Sequence, residues 1–485
     1  MPRSSAPSSP RPRSQPRRFR QHQVPRRWRR RPRTSRQRGA PWISTRIRRV
    51  VWLWHPWALL TGWFLVQDRW YWAAGMLALA VVTYVLRPAE RPPRLGLDHI
   101  DPAGSSAFLD TVAGVTGAMF APGNTVAILN NGDEFFPAML EAIRGARDSI
   151  CIEQYIFWEG QTAEQFCEAL AERARAGVPV KLLLDSVGSA TIGERAYEAL
   201  TGAGCEVAWY NPIRWYTIGR FNNRTHRKTL VVDGTVGFTG GAGIADHWRG
   251  DATPPDEWRD TMFRIEGPAV ANLLSGFVQN WLRTTQEIIQ GAEYFPSVPP
   301  AGPLAVQVLH SSPDAGASSA RLMYYLAIVA ARRRIDIINP YFVPDETAIE
   351  TLIEAVARGV QVRVLVSGSR NDNWLARQNS RRLYGVLMQG GVKLYEYNLS
   401  MLHQKLMLVD GCWCTVGTSN FDNRSFSHNE ETSLCICDTG FAAALTAVID
   451  EDLASSQPVS PEAWHQRGWI ARVQEQVASL LKEQV

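Results

Sequence analysis

The chain has 485 residues, of which 45% are hydrophobic and 20% are charged, so it is long enough for two to four domains with buried cores. Its net charge of +6 is unevenly distributed, because residues 1–49 contain 17 arginines and no acidic residue whereas the remainder is net negative. This asymmetry argues against a nucleic-acid-binding function for the protein as a whole.

Residues 1–49 consist mainly of Arg, Pro and Ser. A segment with so few apolar side chains cannot bury a core, and we predict that it is disordered. No cleavable apolar core of a secretory signal follows it, and its prolines disfavour the amphipathic helix of an organellar transit peptide.

Two apolar stretches, 50–66 and 70–86, are separated only by "QDR". Tryptophans at the start of each stretch and arginines on both outer flanks predict a two-helix transmembrane hairpin over 50–86, with both ends in the cytoplasm. A soluble hairpin or a re-entrant loop is the alternative, because both stretches are short and the first contains His55-Pro56. We expect the arginine-rich head to lie against an anionic membrane surface. Residues 87–110 are interpreted as a linker.

From about residue 111, helical and strand-like patterns alternate, which predicts an α/β fold with a largely parallel sheet covered by helices. The order of these elements then recurs: "ICIEQYIFWEG" is echoed by "IDIINPYFVPD", and "AGCEVAWYNP" by "GGVKLYEYNL". A repeat of this length indicates a domain-scale duplication. We therefore predict one domain over 111–300 and a second over 301–485, which ends in a C-terminal helix.

Seven cysteines lie mostly in apolar, strand-like runs without disulfide-framework spacing, which is typical of reduced thiols in a reducing compartment. The pairs Cys412/Cys414 and Cys435/Cys437 have a spacing that could suit a metal ion. Because the surrounding runs are apolar and β-like, buried packing is the favoured interpretation.

The most informative pattern is a duplicated polar element, "THRKTLVVDG" and "LHQKLMLVDG". Residues two apart on a strand share a face, so His226 projects with Lys228, and His403 with Lys405. Each Asp-Gly pair predicts a tight hairpin, followed by a loop of small residues, "FTGGAG" or "VGTSN". An imidazole, an ammonium group and loop donors together suit a phosphate group.

If the two elements face each other, two histidines meet at one phosphorus atom, where one can attack and the other can transfer protons. A surface histidine beside a solvated lysine is the alternative for either copy alone. The second copy, with the same hairpin and loop, favours the paired site.

In its two duplicated motifs, the chain resembles the phospholipase D superfamily. The wider set, including "NGDEFFPAMLEAI", "WRDTMFRIEGPAV", "NPYFVPDE" and "GTSNFDNRSF", is similar to its bacterial cardiolipin synthase branch over roughly residues 115–485. The resemblance implies two duplicated α-β-α sandwich domains with pseudo-twofold symmetry. It also implies phosphodiester exchange through a phosphohistidine, without a metal or a cofactor.

The resemblance implies His226 as nucleophile and His403 as acid/base, although the sequence leaves the reverse open. The other implied residues fall into three groups: phosphate binding by Lys228, Lys405, Ser419 and Asn420; shaping of the site by Asp233 and Asp410; and support of a histidine ring nitrogen by Asp260 and Glu431. The first motif departs from the family pattern, because Gly243 stands where asparagine is usual. Backbone N–H groups of Gly240 and Gly241 are expected to replace the missing amide.

These features predict a membrane-anchored cardiolipin synthase of the bacterial inner membrane, with its catalytic domains on the cytoplasmic side. Its expected substrate is phosphatidylglycerol, with phosphatidylethanolamine as the other candidate for the second lipid. A lipid hydrolase of the same fold is the first alternative. A nuclease is the second, although the acidic body and the apolar hairpin lead us to expect no nucleic-acid partner.

Overall fold

The computed structural model describes residues 54–85, 100–214, 221–313, 318–479 and 481. The predicted disordered head and most of the predicted linker lie outside these ranges. Residues 215–220, shortly before His226, also lie outside them.

The predicted hairpin consists of helices α1 (His55–Val66) and α2 (Trp70–Val85), which are 12 and 16 residues long. The first helix starts five residues later than the apolar stretch, with Pro56 in its first turn, where proline is tolerated. The rings of Phe64 and Trp72 stack at 6.1 Å between the two helices. No helix in the described ranges is both long and apolar enough to cross a bilayer. The two helices form the predicted hairpin. Its predicted membrane-spanning character is not confirmed.

The first half of the body begins with a helix and contains eight strands. In chain order its elements are α3 (Ser106–Thr116), β1 (Phe120–Asn130), α4 (Asn131–Gly145), β2 (Ile150–Gln154), α5 (Gln161–Arg175), β3 (Val180–Asp185), α6 (Glu194–Gly202), β4 (Glu206–Tyr210), β5 (Arg224–Thr225), β6 (Thr229–Val232), β7 (Val236–Gly240), β8 (Thr261–Glu266) and α7 (Ala269–Thr285). A single 3-10 turn, Asp246–Trp248, precedes β8.

Over the described residues, the second half repeats this order from β1 onwards without a counterpart of β5, and it adds one short strand and three helices. Its elements are β9 (Leu304–Ser311), α8 (Ser319–Ala330), β10 (Arg334–Ile338), α9 (Glu346–Ala357), β11 (Gln361–Ser367), α10 (Trp374–Gln389), β12 (Lys393–Tyr397), β13 (Leu406–Val409), β14 (Trp413–Gly417), α11 (Asn423–Ser427), β15 (Asn429–Cys437), α12 (Thr439–Ala454), β16 (Ser456–Pro458), α13 (Pro461–His465) and α14 (Trp469–Ala478).

All the strands belong to one continuous sheet with the order β16-β12-β11-β10-β13-β14-β15-β9-β1-β8-β7-β6-β2-β3-β4, and β5 pairs with β15. On one side of the β1–β9 pair the strands follow as β8, β7, β6, β2, β3 and β4. On the other side their repeat equivalents follow in the same order, as β15, β14, β13, β10, β11 and β12. This arrangement has the pseudo-twofold symmetry that the resemblance implied, and the two copies are joined edge to edge.

The sheet is mixed, so the prediction of a largely parallel sheet was wrong. Apart from the short β5–β15 pair, parallel pairing is confined to β2-β3-β4 and β10-β11-β12. The helical crossovers produce these pairs, whereas the tight Asp-Gly turns return the chain as antiparallel hairpins, β6–β7 and β13–β14.

Helices cover both faces of the sheet, and the central strands are buried on both sides. The run "VKLLLD" of β3 is buried at every position, which explains its lack of alternation. Helix α3 begins within the segment interpreted as a linker, and its Phe108 packs edge to face against Trp413 of the second half at 5.0 Å. Cys414 and Cys435 are buried in the core, as the packing interpretation expected.

Candidate active site

The two His-x-Lys elements are extended segments immediately before β6 and β13, and each is hydrogen-bonded to the backbone of the opposite half. The backbone N–H of His226 donates to the carbonyl of Glu430 at 2.9 Å. The N–H of His403 donates to the carbonyl of Arg259 at 2.8 Å. The backbone of His226 therefore lies beside the residue before Glu431, and the backbone of His403 lies beside the residue before Asp260.

The acids then pair with the histidines across the two halves. Nδ1 of His226 lies 3.0 Å from Oε1 of Glu431, and Nδ1 of His403 lies 2.8 Å from Oδ2 of Asp260. Both carboxylates are fully buried. Because Nδ1 of each ring is engaged, Nε2 is the nitrogen left for chemistry at a substrate.

The two acids are themselves held by residues that the sequence analysis did not identify. The hydroxyl of Thr418 donates to Glu431, and the indole N–H of Trp248 donates to Asp260 at 2.9 Å. Thr418 could have been suspected because it precedes Ser419 and Asn420 in the second loop. No sequence pattern pointed to Trp248, because only the tertiary structure brings it close to Asp260.

Both lysines are buried, and each ammonium group donates to the backbone carbonyl of its own motif's histidine. Burial lowers the pKa of Lys228 to about 7 and that of Lys405 to about 8. Repulsion by the Lys405 ammonium group lowers the pKa of Lys228 further, so the two motifs interact electrostatically.

Both imidazoles are neutral at pH 7 in the unliganded site. Burial lowers the pKa of His226 to about 4 and that of His403 to about 3. For each ring, the lysines of both motifs act in the same direction and the paired carboxylate acts against it. A neutral ring is the form that can attack a phosphorus atom or accept a proton.

The second-half loop offers an unpaired amide. Asn420 is buried, and its Oδ1 has no hydrogen-bond partner among the residues that the structure describes. A 180° rotation of this carboxamide would present its N–H groups to the same space, as phosphate binding requires. Ser419, by contrast, already hydrogen-bonds through its hydroxyl to Ser433 at 3.0 Å.

In the first-half loop, one of the two expected replacement donors is already engaged. The N–H of Gly241 donates to the carbonyl of Thr261 at 3.3 Å, so it belongs to the sheet. Gly240 is the last residue of β7 and pairs with Met262 of β8. A Cβ atom at Gly243 would lie 2.8 Å from Cβ of Ile156, so the usual asparagine has no room. The N–H of Gly241 is therefore not available to replace the asparagine amide, whereas phosphate binding by Gly240 stays a prediction.

The motif aspartates also lie outside the site, at the far ends of the hairpins. Asp233 accepts the N–H groups of residues 147, 148 and 149, and Asp410 those of residues 332, 333 and 334. Both have left-handed backbones, with φ of 52° and 54°. They therefore anchor the hairpins that carry the two motifs, and neither aspartate contacts a histidine.

Replacing Asp233 or Asp410 by alanine is expected to lower the free energy of unfolding by about 1–3 kcal/mol, because three backbone N–H groups lose their acceptor and the left-handed backbone disfavours alanine. Chemical denaturation followed by tryptophan fluorescence measures this loss. Asparagine at either position should cost less, since it keeps an oxygen acceptor and tolerates a left-handed backbone. Equal stability of the wild type and both alanine variants would contradict the anchoring role.

Tyrosines at equivalent repeat positions flank the histidines. The ring of Tyr155 lies 5.1 Å from that of His226, and the ring of Tyr341 lies 6.1 Å from that of His403. Trp258 adds a third ring, 5.3 Å from His403. The recurrence of tyrosine in the echoed "EQYIFW" and "NPYFVP" segments was a signal that the sequence analysis did not use. These rings form apolar walls that can limit access of water.

Comparison with known proteins agrees with this geometry. The family model described as "Cardiolipin synthase, PLD-like domain" matches residues 139–275 and 325–453. The chain is 34% identical to the probable cardiolipin synthase YwiE of Bacillus subtilis, over 74% of this chain and 71% of that protein. It is 36% identical to a cardiolipin synthase of Geobacillus, over 73% of this chain and 71% of that protein.

Among solved structures, the fold is similar to that of phosphatidylserine synthase from Haemophilus influenzae, with a TM-score of 0.60 and 14% identity. The match covers 78% of this chain and 99% of that one, so the fold extends across both halves. The duplicated motifs, the fold and these relatives agree, and the chain belongs to the cardiolipin synthase family of phospholipase D-like proteins.

Proposed function

We propose that this protein is a cardiolipin synthase that transfers a phosphatidyl group from one phosphatidylglycerol to another through a phosphohistidine. The observation that supports this most strongly is the exchange of acids between the halves. Glu431 holds His226 and Asp260 holds His403, which ties both imidazoles to one site with two lysines. Such a site suits two-step exchange at a single phosphorus atom.

In the first step, Nε2 of His226 attacks the phosphorus atom of the donor lipid, and the bond from phosphorus to the glycerol oxygen breaks. His403, in its protonated form, donates a proton to that oxygen, and glycerol leaves. The ring of His403 must gain this proton when the lipid binds, and an anionic phosphodiester beside it favours the charged form. Asp260 stabilises the resulting imidazolium.

In the second step, a hydroxyl group of another phosphatidylglycerol attacks the phosphohistidine. His403 accepts the hydroxyl proton, the bond from phosphorus to nitrogen breaks, and cardiolipin forms. The Lys228 and Lys405 ammonium groups and the Asn420 amide bind the non-bridging oxygens in both steps. One phosphodiester replaces another, so the exchange needs no energy-rich donor.

The test uses the full-length protein in vesicles made of phosphatidylglycerol alone. Cardiolipin and free glycerol should appear in equal amounts, measured by mass spectrometry of the lipids and an enzymatic glycerol assay. Accumulation of phosphatidic acid in place of cardiolipin would instead support the hydrolase alternative.

The proposed phosphate site predicts a loss of activity at alkaline pH. With pKa values of about 7 and about 8, the two amines of the free enzyme lose their protons as the pH rises, and so lose their attraction for the phosphodiester. We expect kcat/KM to fall about tenfold for each pH unit between about 7 and 8, where one amine is neutral, and about a hundredfold for each unit above about 8, where both amines are neutral. Initial rates at low lipid concentration between about pH 6 and pH 10 test this. Arginine at position 228 should move this fall to higher pH, and a flat profile would contradict the prediction.

We also propose that the hairpin over 50–86 attaches the enzyme to the cytoplasmic side of the bacterial inner membrane. Its apolar rings point outwards, with Trp63 60%, Trp70 64% and Trp72 60% exposed. Indole rings favour the membrane–water interface. A variant lacking residues 50–86 should no longer sediment with neutral phosphatidylcholine vesicles, for which the arginine-rich head has no electrostatic attraction. If it sediments as the full-length protein does, the attachment lies elsewhere.

A further inference from the structure

Asp372 is a carboxylate that the proposed exchange does not use, although it lies beside the acid/base histidine. The hydroxyl of Tyr341 donates to Oδ1 of Asp372 at 2.5 Å. The ring of this tyrosine packs edge to face against His403 at 6.1 Å. Only the side chain of Tyr341 thus separates Asp372 from the imidazole of His403, which transfers protons in the proposed mechanism.

The charge on Asp372 acts within the site. Desolvation of its carboxyl group raises its pKa, while the Tyr341 hydrogen bond and the Lys405 ammonium group act against this. In return, Asp372 is among the groups that raise the pKa of Lys405. The carboxylate therefore lies within electrostatic reach of a lysine that we assign to the phosphate.

Asp372 also differs from the other carboxylates of the site in its accessibility. Asp260 and Glu431 are fully buried against the histidines, whereas Asp372 is an exposed residue in the loop between β11 and α10. Beside it, Nδ2 of Asn371 is buried without a partner among the described residues. A donor and an acceptor are thus both available next to the His403 side of the site.

The first half has no equivalent at the end of its matching strand. There Asp185 is fully buried, and it accepts the N–H groups of Val187, Gly188 and Thr225. It therefore has a structural task within its own loop. An accessible carboxylate occurs beside His403, where the alcohol leaves and attacks in the proposed mechanism.

We infer that Asp372, positioned by Tyr341, binds a second hydroxyl group of the alcohol that attacks the phosphohistidine, so that the site selects polyol acceptors over water and simple alcohols. This inference rests on the proposed function. A carboxylate can only accept hydrogen bonds, and an alcohol with a neighbouring hydroxyl can donate one while its first oxygen reacts. Water and monohydric alcohols have no such second group.

The experiment supplies full-length enzyme in phosphatidylglycerol vesicles with equal concentrations of propane-1,2-diol and propan-1-ol. These acceptors differ by one hydroxyl group, and mass spectrometry measures the ratio of the two phosphatidyl products. The wild type should favour the diol. Asp372→Ala should lower the ratio about tenfold, the size expected for losing a hydrogen bond to a charged group. Asp372→Asn and Tyr341→Phe should lower it less, because each keeps part of the arrangement.

Asp148→Asn, an exposed carboxylate change in the first half, is the matched control and should keep the wild-type ratio. An unchanged ratio in Asp372→Asn and Tyr341→Phe would overturn the inference, even if Asp372→Ala failed to fold. In that case the phosphatidylpropanol formed would still support the phosphatidyl transfer. If no enzyme made either alcohol product, the proposed function itself would fail.

Discussion

Alanine at His226 or at His403 is expected to reduce cardiolipin formation by about 10³-fold or more. The first change removes the group that we propose as nucleophile, and the second removes the group that moves protons to and from the alcohols. Because the two rings act in one sequence of steps, the double variant should be barely worse than either single variant. Initial rates in phosphatidylglycerol vesicles measure all three.

A trapping experiment on the wild type decides which ring carries the phosphatidyl group. Rapid quenching of the wild type in denaturant at neutral pH, which preserves the acid-labile phosphorus–nitrogen bond, followed by peptide mapping for the mass of a phosphatidyl adduct, should locate it on the peptide that contains residue 226. His465→Ala, which changes an exposed histidine far along the chain, should keep normal rates. Near-normal turnover in either His226→Ala or His403→Ala, with the fold intact by circular dichroism, would contradict the paired-histidine mechanism.

Asp260→Asn and Glu431→Gln are each expected to lower turnover by about 10²–10⁴-fold. An amide keeps the size of the side chain but cannot stabilise an imidazolium, and it permits the wrong ring tautomer. Each change acts on the histidine of the opposite half, since Asp260 contacts His403 and Glu431 contacts His226.

Double variants test that cross-assignment. Once His403 is alanine, adding Asp260→Asn should cost less than about twofold further, because its partner is already gone. Thermal unfolding separates this effect from a loss of structure, and Asp110→Asn, an exposed change in α3, is the control. If Asp260→Asn proved as harmful in the His403→Ala background as in the wild type, its role would not be to support His403.

The sequence by itself determined the chemistry-bearing motifs, their duplication and the family. These features are local: a period of two places His and Lys on one face, Asp-Gly closes a hairpin, and the order of helices and strands is readable from hydrophobic spacing. The apolar hairpin was also located correctly, although its helices proved shorter than the apolar stretches.

Contacts between distant segments were decided only by the tertiary structure. Nothing in the local spacing shows that Glu431 serves His226 or that Asp260 serves His403, because both pairings depend on the halves joining edge to edge through β1 and β9. The mixed sheet, the engaged N–H of Gly241 and the remote anchoring by Asp233 and Asp410 have the same origin. Hydrogen-bond partners and burial depend on which strands become neighbours, and strand pairing is determined by the sequence of the whole chain.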